Sequence, residues 1–412
     1  MISLRALREK TAWRATAPSI LLVLNSLVWY ILTYAAFLAI VNQLHLLDTE
    51  KLGLFTTYFV GIAISAILGA KFLPHARSKF LNLWSFMGAI ATLPLIAVSG
   101  NGMLVNALLA FFLGVSIGVG LPSCLSYFAD LTSVENRGFI GGIIWSAVGF
   151  TILIFAFLIN MIGQWETIIV QWETIVALTI WRLFGGIGFL ALNRKHKTLG
   201  AQKSPSYLEL FRKREILLYL FPWIMFSLVN FAEAPILESV FGADFGFVQL
   251  LEWAFVGIFA IVGGIVADVA GRKRVVISGF VMLGIEYAAM SAFSNAPATL
   301  YLFLTLDGIT WGLFASVFFT AIWGDLGENR EKEKYYALGG LPYLLANFLY
   351  ILIRPYASAI SPTAAFSFAS FFLFLAVIPL MYAPETLPEK KIRERELKGY
   401  IDKAKKVKEK YT

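Results

Sequence analysis

Four acidic residues sit inside otherwise apolar stretches of this chain: Glu233, Glu252, Glu286 and Asp307. A charge held in hydrocarbon costs roughly 2.5–3.5 kcal/mol on insertion scales, so such residues mark a site of chemistry before they mark a surface. Carboxyls gathered in an apolar region repel one another and can take up and release protons. Asp307 leads the set, because it adjoins Gly308 and has Trp311 one helical turn away. Glu233 and Glu252 fall near the ends of their runs, where a carboxylate also reaches water. Glu286 lies deep, where a structural pair competes with a proton-handling role.

A second group combines charge with turn chemistry. Gly264-Ile-Val-Ala-Asp268-Val-Ala-Gly271-Arg272-Lys273-Arg274 separates two long apolar runs. Gly271 permits a tight turn. Asp268 is spaced to pair with Arg272 or Arg137, or to accept the free N–H groups that begin a neighbouring helix near Gly138. Such a latch would hold two helices together at the membrane surface. Polar and aromatic stripes supply further candidates. Tyr343, Asn347, Tyr350 and Arg354 recur at spacings of four, three and four, and Asn25, Trp29 and Thr33 at four and four, so each set shares one helix face. Asn25 and Asn347 need partners in lipid and favour an interior, so the two stripes, with Trp311, are expected to line one substrate cavity. Arg182 follows Trp181, which leaves it two readings: a partner for a carboxylate or substrate anion, or an anchor at the membrane interface.

The elements that must hold these residues are membrane helices. The chain has 412 residues, of which 58% are hydrophobic, and a mean hydropathy of +0.74. A soluble domain does not carry this much apolar surface. The apolar residues form runs of about 20, the length that crosses a bilayer. Twelve such runs begin near residues 17, 52, 80, 103, 139, 174, 215, 246, 275, 298, 335 and 363. The first, from Ala17 to about Val41, follows a basic segment (Arg5, Arg8, Lys10, Arg14) and is too long for a cleaved signal, so it is expected as a retained span. The longest polar break divides the chain into residues 1–193 with six spans, a central loop over 194–214, residues 215–384 with six more, and a charged tail over 385–412.

The net charge of +8 follows topology. Lys and Arg gather in alternate loops, at Lys71, Arg77 and Lys79, at Arg194, Lys195 and Lys197, at Arg212 to Arg214, at Arg272 to Arg274, at Arg330 to Lys334, and in the tail from Lys390. This bias places both termini in the cytoplasm and accounts for the basic balance without nucleic acid. The lone Cys124 falls within a run and reads as a small packing residue. No phosphate-binding loop or His-Glu-x-x-His pair is present, so neither ATP hydrolysis, a metal nor any other cofactor is expected, and the chain does not read as an enzyme.

The halves repeat. Gly114-x-x-x-Gly118, Asp130-Leu131 and Glu135-Asn136-Arg137 in the first match Gly308-x-x-x-Gly312, Asp325-Leu326 and Glu328-Asn329-Arg330 in the second, in the same order. The turn at Gly69 to Lys79 corresponds to that at Gly264 but has Leu73 where the second half has Asp268, so the second latch is expected to dominate. A smaller duplication, Gln164 to Ile168 and Gln171 to Ile175, reads as an insertion at an outer loop or helix end.

These features resemble the major facilitator superfamily over nearly the whole chain. Gly264, Asp268, Gly271, Arg272 and Lys273 match its loop motif, Gly114, Gly118 and Gly120 with Arg137-Gly138 look like its fourth helix and following loop, and Pro384-Glu385-Thr386 is similar to the ending of many members. The resemblance implies an all-α integral membrane protein of two pseudosymmetric six-helix bundles around a cavity that opens alternately to either side. It implies a secondary active transporter of a small organic solute in the cell membrane, working by symport with protons. Proton-driven export of amphipathic compounds is the second reading, and a non-transporting receptor on the same scaffold the third. Gly149-Phe150 lacks the Gly-Pro of the drug:proton antiporters, and Phe226 to Asn230 lacks the paired glutamines of the sugar porters.

Overall fold

The computed structural model describes residues 13–74, 77–100, 102–162, 165–192, 202–242, 244–293 and 296–388, with residue 397. The basic start (Arg5, Arg8, Lys10), the Arg194 to Lys197 cluster and the tail from Lys390 lie outside the described residues. Among the described residues twelve helices are long and apolar enough to cross a membrane: α1 Trp13–Gln43, α2 Asp48–Phe72, α3 Lys79–Val98, α4 Met103–Leu131, α5 Arg137–Ile159, α6 Trp172–Leu192, α7 Arg214–Phe241, α8 Phe245–Ala270, α9 Arg272–Ala292, α10 Ala298–Leu326, α11 Glu333–Ala359 and α12 Pro362–Tyr382. The observed starts precede some apolar ones by up to four residues. Polar first turns such as Asp48 to Lys51 and Arg272 to Arg274 are helical although they add no hydropathy.

α1, α3 and α6 pack together, as do α2 and α4. In the second half α7, α9, α11 and α12 interlock and α8 lies along α10. The two sets meet chiefly where α5 runs along α8 and α2 along α11. The α5–α8 contact is close because two glycines face each other. A Cβ on Gly264 would stand 2.1 Å from the carbonyl oxygen of Gly138. Large apolar side chains such as Leu68, Ile154, Phe184, Ile258 and Phe368 face outward, as a lipid environment requires.

Two spans depart from regular helix. α4 breaks at Val119–Gly120, between Met103–Gly118 and Leu121–Leu131. α10 contains a π-helical stretch, Ala315–Ile322, whose Thr320 carbonyl accepts from the Tyr336 hydroxyl at 2.6 Å. Between α5 and α6, Trp165–Ile168 forms a separate short turn of helix and the duplicate Trp172 opens α6 at its exposed end.

Between the halves, a short helix Tyr207–Arg212 is capped by Ser206 and Glu209. The strand-like segment before it bridges Gln202 to the loop between α10 and α11: Gln202 N donates to the Asn329 carbonyl and its own carbonyl accepts from Glu331 N. Tyr207 reaches the Ile67 carbonyl of α2 at 3.2 Å. The interdomain segment is therefore tied to both bundles at the end that carries the basic loops, called the basic end below.

Candidate functional site

At the basic end, α8 ends at Ala270 and Gly271 turns the chain with φ of 103°, the left-handed region that glycine accepts. The turn sends Arg272 back beside Asp268. The Asp268 carboxylate accepts from Gly138 N at 3.0 Å and Phe139 N at 2.7 Å, the first N–H groups of α5, where the helix dipole favours an anion. Arg272 Nη1 lies 2.7 Å from Asp268 Oδ1, Nε lies 3.1 Å from Asp325 Oδ2, and Nη2 donates to the Val134 carbonyl at 2.6 Å. Arg137 pairs with the other Asp325 oxygen and with Glu328, 3.1 Å away. Asp268, Arg272, Arg137 and Asp325 are thus one buried alternating array shared by both bundles. Lys273 stands apart from it, donating to the Met381 carbonyl at 2.6 Å.

The ending Pro384-Glu385-Thr386 belongs to the same assembly. Glu385 accepts from Arg272 N at 2.8 Å and Lys273 N at 3.1 Å, capping α9, while Thr386 donates to Asp325 at 3.2 Å. Sequence reasoning noted this motif without a role. A carboxylate followed by a hydroxyl, placed after the last span, was the available signal.

The first half holds a latch of different composition. Arg77, in the turn between α2 and α3, pairs with Asp130 of α4 and with Glu333 of α11. Lys332 returns the crossing by reaching Asp130 at 2.7 Å. The absence of a carboxylate at Leu73 therefore does not leave this side without a cross-bundle pair. Burial alone would lower the Arg77 pKa, but Glu333 and Asp130 raise it above its ordinary value and hold the guanidinium charged. Asp130 and Arg77 correspond to Asp325 and Arg272 in the repeat. Lys332 and Glu333 are additions that the repeat does not announce.

In the second bundle the four acidic residues converge. Glu252 and Asp307 lie side by side. Glu286 lies within electrostatic reach of both, and Tyr287 within reach of all four. Both oxygens of Glu286 and Oε2 of Glu233 are buried without a partner. Among the described residues no Lys or Arg forms an ion pair with any of the four. A narrow crevice lined by Phe226, Val229, Asn230, Leu283, Tyr287, Asp307 and Leu373 reaches Asp307 between α7, α9, α10 and α12. The cluster therefore lies inside the second bundle, not at the seam between the two.

The stripes divide. On α11, Tyr343 packs against Trp223, Phe231, Trp311 and Phe319 with ring centroids 5.1–6.2 Å apart. Asn347 lies beside Tyr30 of α1 across the seam. Tyr350 and Arg354 both reach Glu238 at the far end of α7, at 2.9 and 3.2 Å. On α1, however, Asn25 and Trp29 turn into their own bundle. Asn25 Nδ2 donates to the Trp181 carbonyl at 2.6 Å and Trp29 Nε1 to Thr92 at 2.8 Å. Thr33 is buried with its hydroxyl unpartnered. The seam instead receives Tyr30 and Tyr34, which with Tyr58, Phe59 and Phe348 form a continuous aromatic row. The Tyr30–Tyr34 spacing of four was readable, but an asparagine is the stronger lipid-depth signal and drew the assignment to the adjacent face.

Arg182 corrects the interfacial alternative. It is enclosed in the first bundle with none of its surface exposed. Its guanidinium carbon lies 4.5 Å from the Trp29 ring centre and 4.2 Å from that of Trp84, and Nη1 donates to Asn25 Oδ1 at 3.1 Å and Ser26 Oγ at 2.7 Å. Cys124 is buried close by and free. Among the described residues no set of three His, Cys, Asp or Glu side chains is arranged to hold a metal ion.

This twin-bundle arrangement is shared with solved structures of the proton:xylose symporter XylE. With 6-bromo-6-deoxy-D-glucose bound, that protein superposes with a TM-score of 0.65 at 14% identity, covering 90% of this chain and 95% of the other. A double-tryptophan variant superposes with a TM-score of 0.69 at 13% identity, covering 94% and 99%. The chain has the major facilitator superfamily fold. It is a multi-pass membrane protein, with twelve apolar helices of spanning length among the described residues. No protein-family model matches the sequence, and no curated protein matches it. Sequence identity this low carries the fold alone, so the roles of the latch, the acidic cluster and Arg182 rest on their own geometry.

Proposed function

We propose that the chain is a secondary active transporter that moves a small organic solute by alternating access, coupled to protons. The observation that carries this reading is the gathering of Glu233, Glu252, Glu286 and Asp307 around Tyr287 without a cation among the described residues. Glu252 and Asp307 stand side by side, and a proton shared between two adjacent carboxyls would relieve their mutual repulsion. Four carboxyls with no counter-ion form a proton-holding group more readily than a structural ion-pair network.

The basic-end arrays supply the second requirement, a closure that can break. Every bridge in them joins one bundle to the other or braces a residue that does. Releasing Asp268, Arg137, Arg77 and Lys332 together would let the bundles part at this end. We take residues 1–193 and 215–384 as the moving bodies, with the basic end cytoplasmic in the cell membrane, as the positive-inside bias requires. The fold likeness to a proton:xylose symporter agrees with proton coupling. It does not extend to sugar, for which the α7 glutamine pair is missing.

The test is flux in proteoliposomes. An imposed inward proton gradient should drive accumulation of a transported solute, and its sense separates uptake from export. Asp307→Asn should abolish gradient-driven accumulation while solute exchange stays measurable. Unchanged accumulation in that variant overturns the coupling assignment, and ligand affinity with no counterflow in the unaltered protein would favour a receptor.

A further inference from the structure

We propose that the Arg182 guanidinium in the first bundle binds the carboxylate of an organic anion, the solute this protein moves. This rests on the transport reading for the word solute, but not for the site. Arg182 is fully enclosed near the middle of α6, and among the described residues no carboxylate pairs with it. An unpaired cation in such surroundings carries a desolvation penalty of several kcal/mol. The two indole faces and two neutral acceptors offset part of this, yet none of them neutralises the charge.

The donors left over identify the missing partner. Nη1 is committed to Asn25 and Ser26, whereas Nε and Nη2 are buried without acceptors. These two N–H groups point the same way along one edge of the planar guanidinium, the edge that grips a carboxylate through two parallel hydrogen bonds. Trp29 and Trp84 clamp the plane and Asn25 fixes its rotation, so the fork is already oriented. On α3, the edge faces Gly88, where a Cβ would stand 2.8 Å from Nε, so a side chain at that position would crowd it. A single guanidinium with one free edge suits a monoanion. A phosphate dianion would call for a second cation, and among the described residues none is paired with this group.

The distribution of charge points the same way. Away from the basic end and among the described residues, the second bundle holds four carboxyls with no ion-paired cation, and the first holds Arg182 with no ion-paired carboxylate. A solute carboxylate on Arg182 and protons on the acidic cluster would neutralise both interiors together. That combination describes an organic acid moved with protons.

The experiment is equilibrium binding to the purified full chain in detergent, read by tryptophan quenching with para-nitrobenzoate and its neutral isostere para-nitrobenzamide. Thermal protection by benzoate, hexanoate and succinate is measured against the matching amides. We expect saturable quenching by the acid, about tenfold or more weaker quenching by the amide, and loss of that preference in Arg182→Lys, which keeps the charge and removes the fork. Gly88→Ala should weaken acid binding by crowding Nε. Equal response to acids and amides, no response to any acid, an undiminished preference in Arg182→Lys, or an equal response to sodium chloride at matched ionic strength each overturns the proposal. If Arg182→Lys fails to fold, the acid-against-amide comparison on the unaltered protein still decides. Because no membrane or gradient is involved, this result is separate from the flux test. Proton-driven flux without acid preference sinks the site alone, and acid binding without flux sinks transport alone.

Discussion

The Asp268 carboxylate of α8 accepts a hydrogen bond from the backbone N–H of Gly138 at 3.0 Å, so a side chain of the second bundle caps a helix of the first. With Phe139 N at 2.7 Å and Arg272 at 2.7 Å, the carboxylate has a charge-assisted partner on every side. Asp268→Asn keeps the shape but loses the charge, and an amide has one oxygen where two are used. The closed basic end should lose about 3 kcal/mol, a shift of roughly a hundredfold toward opening. A cysteine placed at buried Ala129 reports it by maleimide labelling, which should rise in the variant while buried Cys124 contributes little background. Equal labelling with and without Asp268 would mean that this contact does not hold the end shut.

Gly264 tests the same seam by shape. A methyl group there would stand 2.1 Å from the Gly138 carbonyl oxygen, which belongs to backbone and cannot swing aside. Gly264→Ala should lower the stability of the closed form by about 1–3 kcal/mol and lower the thermal unfolding midpoint in detergent. Gly246→Ala, where a Cβ meets nothing within 4 Å, is the control and should leave the midpoint unchanged.

Glu333→Gln tests whether the first-half latch works as a latch. Arg77 would keep Asp130 but lose its one partner across the seam. Removing one member of a buried pair costs about 3–5 kcal/mol when nothing replaces it, and Asp130 should limit the loss to the lower end. A double-mutant cycle of Arg77→Gln with Glu333→Gln, read by thermal unfolding, should show a coupling of about 1–3 kcal/mol. Additivity of the two changes would reduce Arg77 to a partner of Asp130 alone.

The twelve spans were legible because hydropathy is summed over many residues, and their twofold grouping because the Gly-x-x-x-Gly and Asp-Leu motifs recur in the same order in each half. The Asp268–Arg272 turn was legible because its parts are four residues apart and lie in one loop. Glu333 and Lys332 were not, because they meet Arg77 and Asp130 across more than 200 positions and only packing brings them together. The α1 face was misread for a local reason. Asn25 needs a partner, and the sequence does not say that the Trp181 carbonyl and Arg182 supply it from within the same bundle. The acidic residues could be named singly from their depth, while their convergence on Tyr287 needed the packing of four helices.

Glu286 separates a structural carboxylate from one that handles protons. A structural carboxylate at this depth would be held by a cation or by donors, and both oxygens of Glu286 are buried without either. Glu286→Gln keeps the volume and removes only the ability to ionise. Stability should therefore change by less than about 1 kcal/mol, since no ion pair is broken and burying a neutral amide is less costly than burying a charge. Gradient-driven accumulation should fall at the same time, with solute exchange retained. Glu252→Gln, which disturbs the carboxyl pair with Asp307, should affect both stability and accumulation. The measurements are thermal unfolding in detergent and flux in proteoliposomes on the same preparations. A Glu286→Gln protein that is markedly less stable yet accumulates solute normally would assign the residue to packing and leave proton handling to Asp307 and Glu252.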